Sequence, residues 1–259
     1  MPHLPLPTFD LRYKVEVHAC RPTLVLSHSL GTDLSLWSSQ AGELSKHFSV
    51  VRYDTRGQGR SSAPPGSYTI ADLGGDVLGL LDALQLERVH FCGISMGGLV
   101  GQWLAIHAGE RIDKLVLSNT AAKIGTLEGW NSRIETVQRL GIRAIIPAVI
   151  SGWFTEPFQR ESPEEIRRME ELLAANDPAG YTACCAAVRD ADFRAHLGAI
   201  QARTLVVCGT KDRSTTPAEA NLLAGQIAGS RLLELPAAHI SNVEAAHLFT
   251  PAVRDFLLA

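Results

Sequence analysis

The chain has no run of about eighteen consecutive apolar residues, the length that a membrane-spanning helix needs, so no segment is expected to cross a bilayer. It has no excess of positive charge either. A formal net charge of −3 argues against a nucleic-acid partner, which a basic face would hold. The opening "MPHLPLPTFD" lacks a basic stretch followed by an apolar run, so no signal peptide is expected. The five cysteines, Cys20, Cys92, Cys184, Cys185 and Cys208, are odd in number and include no C-x-x-C pair. A disulfide framework and a zinc site are both disfavoured, and reduced thiols are the expectation, with Cys92 and Cys208 in the core. No H-E-x-x-H or other metal-binding spacing occurs, so no metal is expected. The stretch "RGQGRSS" resembles a truncated dinucleotide fingerprint but is rejected as one, since no sixth-position glycine follows and "APPG" cannot continue a helix.

What is present is an ordinary globular composition, 46% hydrophobic and 20% charged over 259 residues, enough for one large domain or two small ones. Six short apolar runs, "TLVLSH" (23–28), "SVVRYD" (49–54), "RVHFCG" (88–93), "KLVLSN" (114–119), "TLVVCGT" (204–210) and "RLLEL" (231–235), read as buried parallel strands. Helical patterns separate them. In "TIADLGGDVLGLLDALQL" (69–86), Leu73, Val77, Leu80, Leu81 and Leu84 recur at spacings of three and four. "FDLRYKVEVHA" and the residues before it can add an antiparallel hairpin at one edge. The alternation predicts an α/β fold, a mostly parallel sheet covered by helices on both faces.

The rhythm breaks over 121–200. No strand pattern appears there, but helix signals do: "LEGWNSRIETVQRL", "IRAIIPAVI", "SPEEIRRMEELLAAN" and "GYTACCAAVRDA". In the third, Ser162 reads as N-cap, Pro163 as the first helical residue and Glu165 as the capping-box partner. The expected organisation is therefore a core of 1–120 and 201–259 with a helical cap, 121–200, inserted late in the sheet.

"VHFCGISMGGLVGQWLA" (89–105) sets Ser95 in Gly-x-Ser-x-Gly, after a predicted strand and before a predicted helix. That is the setting of a nucleophile elbow, whose sharp turn needs Gly93 and Gly97 because side chains there would strike neighbouring backbone. Such a serine needs an acid and a histidine, in that chain order. Asp212 in "VVCGTKDRSTTP" and His239 in "LLELPAAHISNVE" both follow predicted strands, where loops gather at the carboxyl ends of the sheet. His239 would take the serine proton, and Asp212 would hold the imidazole tautomer. The oxyanion donors would be the backbone N–H groups of Met96 and of Leu30 in "LVLSHSLGTD".

Other candidates read as structural. Asp54 ends a strand but precedes the serine, so it is expected to order its loop. His28 is a loop-shaping residue. Asp190 and Asp192 lie in the insertion, His107 packs beside the elbow helix, and His247 is a surface residue of the final helix.

"VRYDTRGQGRSS", "CGISMGG", "CGTKD" and "AAHISNVE" together resemble the recurring blocks of the α/β-hydrolase superfamily across nearly the whole chain. More narrowly, "HSLGTDLSLW", "YTIADLGGDVLGLLDAL", "RVHFCGISMGG", "LSNTAAKIGTLEGWNSRI", "AVRDADF" and "AAHISNVE" are similar to the 3-oxoadipate enol-lactonases. The run "NTAAKIG" with "WNSRI" carries the most weight, because it opens the cap. The chain departs from many superfamily members at Ser29, where they have glycine; Gly31 follows and lets the loop turn. The resemblance implies the triad Ser95, Asp212 and His239, no cofactor, a cytoplasmic location, and a small anionic lactone substrate in the β-ketoadipate pathway. Ser rather than Asp at the elbow excludes a carboxylate nucleophile. An esterase, a carbon–carbon bond hydrolase, a perhydrolase, and a ligand receptor on a hydrolase scaffold remain the alternatives.

A carboxylate on the substrate calls for arginine or backbone N–H groups with aromatics to exclude water. Trp130 and Arg133, three residues apart on one predicted helix, share a face. Arg133 is the candidate cation, against the reading of a solvated surface arginine. Arg139 and Arg143 are the next arginines of the cap. Trp130 and Trp153 are candidate pocket walls, against ordinary cap packing.

Overall fold

The structure, a computed structural model, describes residues 2–18 and 20–259. Its strands are β1 (His3–Leu6), β2 (Phe9–Glu16), β3 (Thr23–Ser27), β4 (Ser49–Tyr53), β5 (Val89–Ile94), β6 (Ile112–Ser118), β7 (Arg203–Gly209) and β8 (Arg231–Leu235). They form one sheet in the order β1-β2-β4-β3-β5-β6-β7-β8. β1 and β2 make the antiparallel hairpin, β2 joins β4 antiparallel, and every later pair is parallel. The central strands are buried on both faces: all of β4 and β5, and Leu115, Val116 and Leu117 of β6. That burial is why they appear in the sequence as continuous apolar runs rather than alternating ones.

The helices before the insertion are α1 (Ser38–Leu44), α2 (Ile70–Ala83) and α3 (Met96–His107). α2 starts at a capping box between Thr69 and Asp72, and turns Leu73, Val77, Leu80 and Leu81 to the core, with Leu84 partly buried just past its end. Five helices then separate β6 from β7: α4 (Leu127–Leu140), α5 (Ile146–Trp153), α6 (Glu156–Glu161), α7 (Pro163–Ala174) and α8 (Pro178–Asp190). "IRAIIPAVI" divides, with a 3-10 turn over Ile142–Ile145 before α5. After β7 come α9 (Pro217–Gln226), α10 (Ser241–Glu244) and α11 (Ala246–Leu258).

One local expectation is corrected. Ser162 precedes α7 but its side chain caps nothing, with the backbone at φ −127° and ψ 54°. Glu165 does not reach back either. Its carboxylate binds the Arg168 guanidinium one turn on, at 2.9 and 2.5 Å. A bidentate charge-assisted pair outcompetes a bond to one neutral amide. Oxygen caps start the neighbouring cap helices instead: Thr126 for α4, Thr155 for α6 and Asp177 for α8.

The inserted helices are tied to the core at the loops above the sheet. Asn176 donates to the Gly31 carbonyl at 3.0 Å, and Ile240 N–H donates to the Trp153 carbonyl at 3.1 Å. Among the described residues no helix is long and apolar enough to cross a membrane.

Candidate active site

Ser95 stands between the last residue of β5 and the first of α3, at φ 57° and ψ −116°. A non-glycine residue in this region costs about 1–3 kcal/mol, so neighbours must enforce it. They do: Ser95 N–H donates to the Ser118 carbonyl at 2.9 Å, and its own carbonyl accepts from Thr120 Oγ1 at 2.8 Å and Gly98 N–H at 2.9 Å. The flanking glycines are obligatory. A Cβ on Gly93 would run into the carbonyl of Gly97, and one on Gly97 into the carbonyl of Ser27.

His239, on the loop after β8, puts Nε2 2.9 Å from Ser95 Oγ and Nδ1 2.8 Å from Asp212 Oδ2. All three side chains are buried. Asp212, on the loop after β7, also accepts from Ser214 N–H at 2.8 Å, Thr215 N–H at 3.0 Å, Thr215 Oγ1 at 2.7 Å and Asn119 Nδ2 at 3.0 Å. Burial pushes the Asp212 carboxyl up. The facing His239 charge and the bonds from His239, Asn119 and Thr215 outweigh it and hold the group well below the usual carboxylate range. An ionised carboxylate only accepts. The proton of a neutral His239 therefore sits on Nδ1, which leaves Nε2 free to accept from the Ser95 hydroxyl.

The loop carrying Leu30 is shaped from several sides. Gly31 takes φ +81°, the turn that compensates for serine at position 29. Gly31 N–H donates to Gln58 Oε1 at 2.7 Å, and Gln58 Nε2 lies 3.9 Å from Met96 Sδ, so one side chain spans the Leu30 loop and the start of α3. His28 accepts from Thr55 N–H at Nε2, 3.0 Å, which makes Nδ1 the donor to the Ser29 carbonyl at 2.9 Å. Asp54 accepts from Leu34 N–H and Arg60 N–H at 2.8 Å and from Arg12 at 3.0 Å. Both residues order loops, as their positions suggested.

Ser95 and His239 open on a cavity of about 280 Å³, with Leu30 on the core side. Trp130, Arg133, Trp153 and Tyr181 line it from the inserted helices. The Arg133 guanidinium lies 5.0 Å over the Trp130 ring, and Trp130 Nε1–H donates to the Ile124 carbonyl at 2.7 Å, which fixes the indole. Burial and the neighbouring Cys185 push the Tyr181 phenol up, against the pull of Arg133. A second cation, Arg213, lines the same cavity from beside Asp212. Sequence reasoning missed it, although its place next to the expected acid was a usable signal. Among the described residues no Asp or Glu lines the cavity, and neither arginine has a carboxylate within ion-pair distance.

The remaining candidates lie elsewhere. Arg139 pairs with Glu135 on the exposed face of α4, and Arg143 faces a separate groove with Glu170 and Glu171. Asp190 and Asp192 pair with Arg189 and Arg194. His107 is exposed and stacks on Trp103 of its own helix, and His247 is exposed on α11. Cys92 and Cys208 are buried strand residues. Among the described residues no group of three or more His, Cys, Asp or Glu could hold a metal ion.

The chain is 44% identical over 243 residues to 3-oxoadipate enol-lactonase 2 of Acinetobacter baylyi, covering 94% of this chain and 91% of that one. It is 36% identical to 3-oxoadipate enol-lactonase 1 of the same organism, over 91% of this chain and 88% of that one. The crystal structure of the enol-lactonase from Burkholderia xenovorans LB400 superposes with a TM-score of 0.98 at 44% identity, covering 100% of both chains. The family model for the alpha/beta hydrolase fold matches residues 22–246, from β3 to the start of α11 and so including all five helices between β6 and β7, and the chain belongs to that family.

Proposed function

We propose that this protein hydrolyses a small anionic enol-lactone, 3-oxoadipate enol-lactone, to 3-oxoadipate through an acyl-enzyme on Ser95. The observation that carries the proposal is the cavity: Ser95 and His239 at its floor with Asp212 behind His239, two arginines on its walls and no carboxylate among the described lining residues. The similarity to the Acinetobacter and Burkholderia enol-lactonases supports the same substrate class. The reaction belongs in the cytoplasm, in the β-ketoadipate pathway of aromatic-compound breakdown.

Ser95 Oγ attacks the ring carbonyl while its proton passes to His239 Nε2. The backbone N–H groups of Leu30 and Met96 receive the oxyanion, and Asp212 steadies the imidazolium. Collapse breaks the ring C–O bond, and His239 returns the proton to the departing enol oxygen. The leaving group stays tethered to the acyl chain and could close the ring again. Tautomerisation to the ketone removes that nucleophile and makes opening one-way. Water then attacks the acyl-enzyme, with His239 taking its proton; the bond to Ser95 Oγ breaks, His239 returns the proton to Oγ, and the acid is released. Arg133 holds the carboxymethyl group, while Trp130 and Trp153 keep water from that contact.

The test is purified protein assayed with the enol-lactone and with a neutral aryl acetate side by side. A strong preference in kcat/KM for the lactone is the expected result. Comparable rates on both, or a preference for the neutral ester, would make this a general esterase.

A further inference from the structure

The tripeptide Ser118-Asn119-Thr120, where β6 ends, touches every arm of the site. Ser118 and Thr120 grip the backbone of Ser95 on its two sides. Asn119 Nδ2 donates to Asp212 Oδ2 and to the Ala238 carbonyl, each at 3.0 Å, so one amide reaches the acid and the residue before His239. Its Oδ1 accepts from Ser118 Oγ at 3.0 Å and Ser241 Oγ at 2.5 Å, and these two donors fix which end of the amide faces Asp212. Asn119 is fully buried, at φ 42°, with its N–H bonded to the Val207 carbonyl of β7 at 2.8 Å. A buried asparagine with both ends satisfied, held in left-handed backbone, is built to present that amide in one place.

We infer that Asn119 is a positioning residue for the reaction, one that sets the place of the Asp212–His239 pair and how much charge Oδ2 turns toward the imidazole. The inference rests on the reading of Ser95, His239 and Asp212 as the reacting residues. Asp212 Oδ2, the oxygen that His239 Nδ1 faces, also accepts from Asn119 and Thr215. Each extra donor on that oxygen spreads its negative charge. Without the Asn119 donor, Oδ2 keeps more of its charge and holds the protonated imidazole more strongly, so activation of Ser95 should need a higher pH. Among the described residues, the titratable groups linked to the amide are Asp212 and His239 themselves, Glu244 of α10 through its bond from Ala238 N–H, and Cys208 of β7, whose thiol feels the Asp212 charge.

The experiment follows the pH dependence of Ser95 labelling by a fluorophosphonate in the wild type, Asn119→Ala and Asn119→Gly. In that reaction Oγ bonds to phosphorus, fluoride leaves and the proton goes to His239, so it reports the activated serine without the native substrate. A wild type that labels at Ser95 but prefers a neutral ester would sink the proposed substrate and leave this inference standing. The expected result for Asn119→Ala is a maximal labelling rate about tenfold lower, the worth of one charge-assisted hydrogen bond, with reagent affinity unchanged. The acid limb should also move to higher pH. Asn119→Gly also removes the donor and suits the left-handed backbone at φ 42°, so it should move the limb in the same direction as Asn119→Ala. If Asn119→Ala does not fold, the shift in Asn119→Gly decides alone. A folded variant with a wild-type pH profile, whatever its rate or melting temperature, overturns the inference and leaves Asn119 as packing. Absence of Ser95 labelling in the wild type would overturn it together with the triad reading.

Discussion

Arg133→Ala is the perturbation that separates charge recognition from ordinary packing. Arg133 is half-buried on α4, faces the cavity beside Trp130, and among the described residues has no carboxylate partner to be released from. A substrate carboxylate at 4 Å would feel about 4 kcal/mol of attraction at an effective dielectric of 20, from which desolvation of both ions must be subtracted. The net worth of such a charge-assisted bond is about 1.5–3 kcal/mol. At about 1.4 kcal/mol per factor of ten, the variant should bind the lactone about ten- to a hundredfold more weakly. If Arg133 were merely a solvated surface arginine, the loss would be about 0–1 kcal/mol, at most about fivefold. The two readings therefore differ by more than the error of steady-state kinetics. The assay compares kcat/KM on the enol-lactone and on a neutral aryl acetate, which keeps the Ser95 chemistry but has no carboxylate. Only the lactone should suffer. Unchanged lactone kinetics would refute the assignment and turn attention to Arg213, the other cation of the cavity. Equal loss on both substrates would mean that the arginine supports the cap, through its place over Trp130, and does not read charge.

Asp212→Asn should lower turnover about ten-thousandfold by disturbing the imidazole tautomer, measured on either substrate. The same variant has a stability signature. The Asp212 carboxyl sits below its ordinary value of 3.8 in the folded protein, so the unfolded chain binds the proton first. Its contribution is present above that pH and lost as the pH falls further; the melting temperature of the variant should therefore drop less steeply below pH 4 than that of the wild type. Asp54→Asn should act on stability instead, since that carboxylate holds two backbone amides and Arg12. A loss of about 3 kcal/mol is expected. That is a melting temperature lower by about 6–12 °C, read by calorimetry, with kcat kept in the cold. A folded, inactive Asp54→Asn beside an active Asp212→Asn would reverse the two roles.

The sheet and the elbow were legible because their signals are local. Buried parallel strands have to be short and apolar, as "TLVVCGT" is. A strained serine turn has to carry glycines at fixed offsets, as "GISMG" does. Asp212 and His239 were legible by chain order and by their places after strands. Gln58 and Asn119 were not, because their partners lie far away in sequence: Gly31 and Met96 for the first, Asp212 and Ala238 for the second. Arg213 could have been found from its place next to Asp212. Gln58 sat inside "RGQGRSS", a stretch weighed only as a failed nucleotide motif. The cap at Ser162 misled for a related reason. The pattern was right for a capping box, but Arg168 offered Glu165 a stronger partner that a pattern of four residues does not include.

The central claim is that Ser95 is the nucleophile, and the most direct measurement is turnover of the enol-lactone by folded Ser95→Ala, with a melting temperature equal to that of the wild type and free of contaminating enzyme. The strained turn is held by backbone bonds to Ser118 and Thr120 and not by Oγ, so the variant should fold as the wild type does. Its turnover should fall by about a millionfold, leaving only what binding and the oxyanion donors supply. Retention of even a tenth of wild-type turnover would contradict the account and require that another group opens the ring.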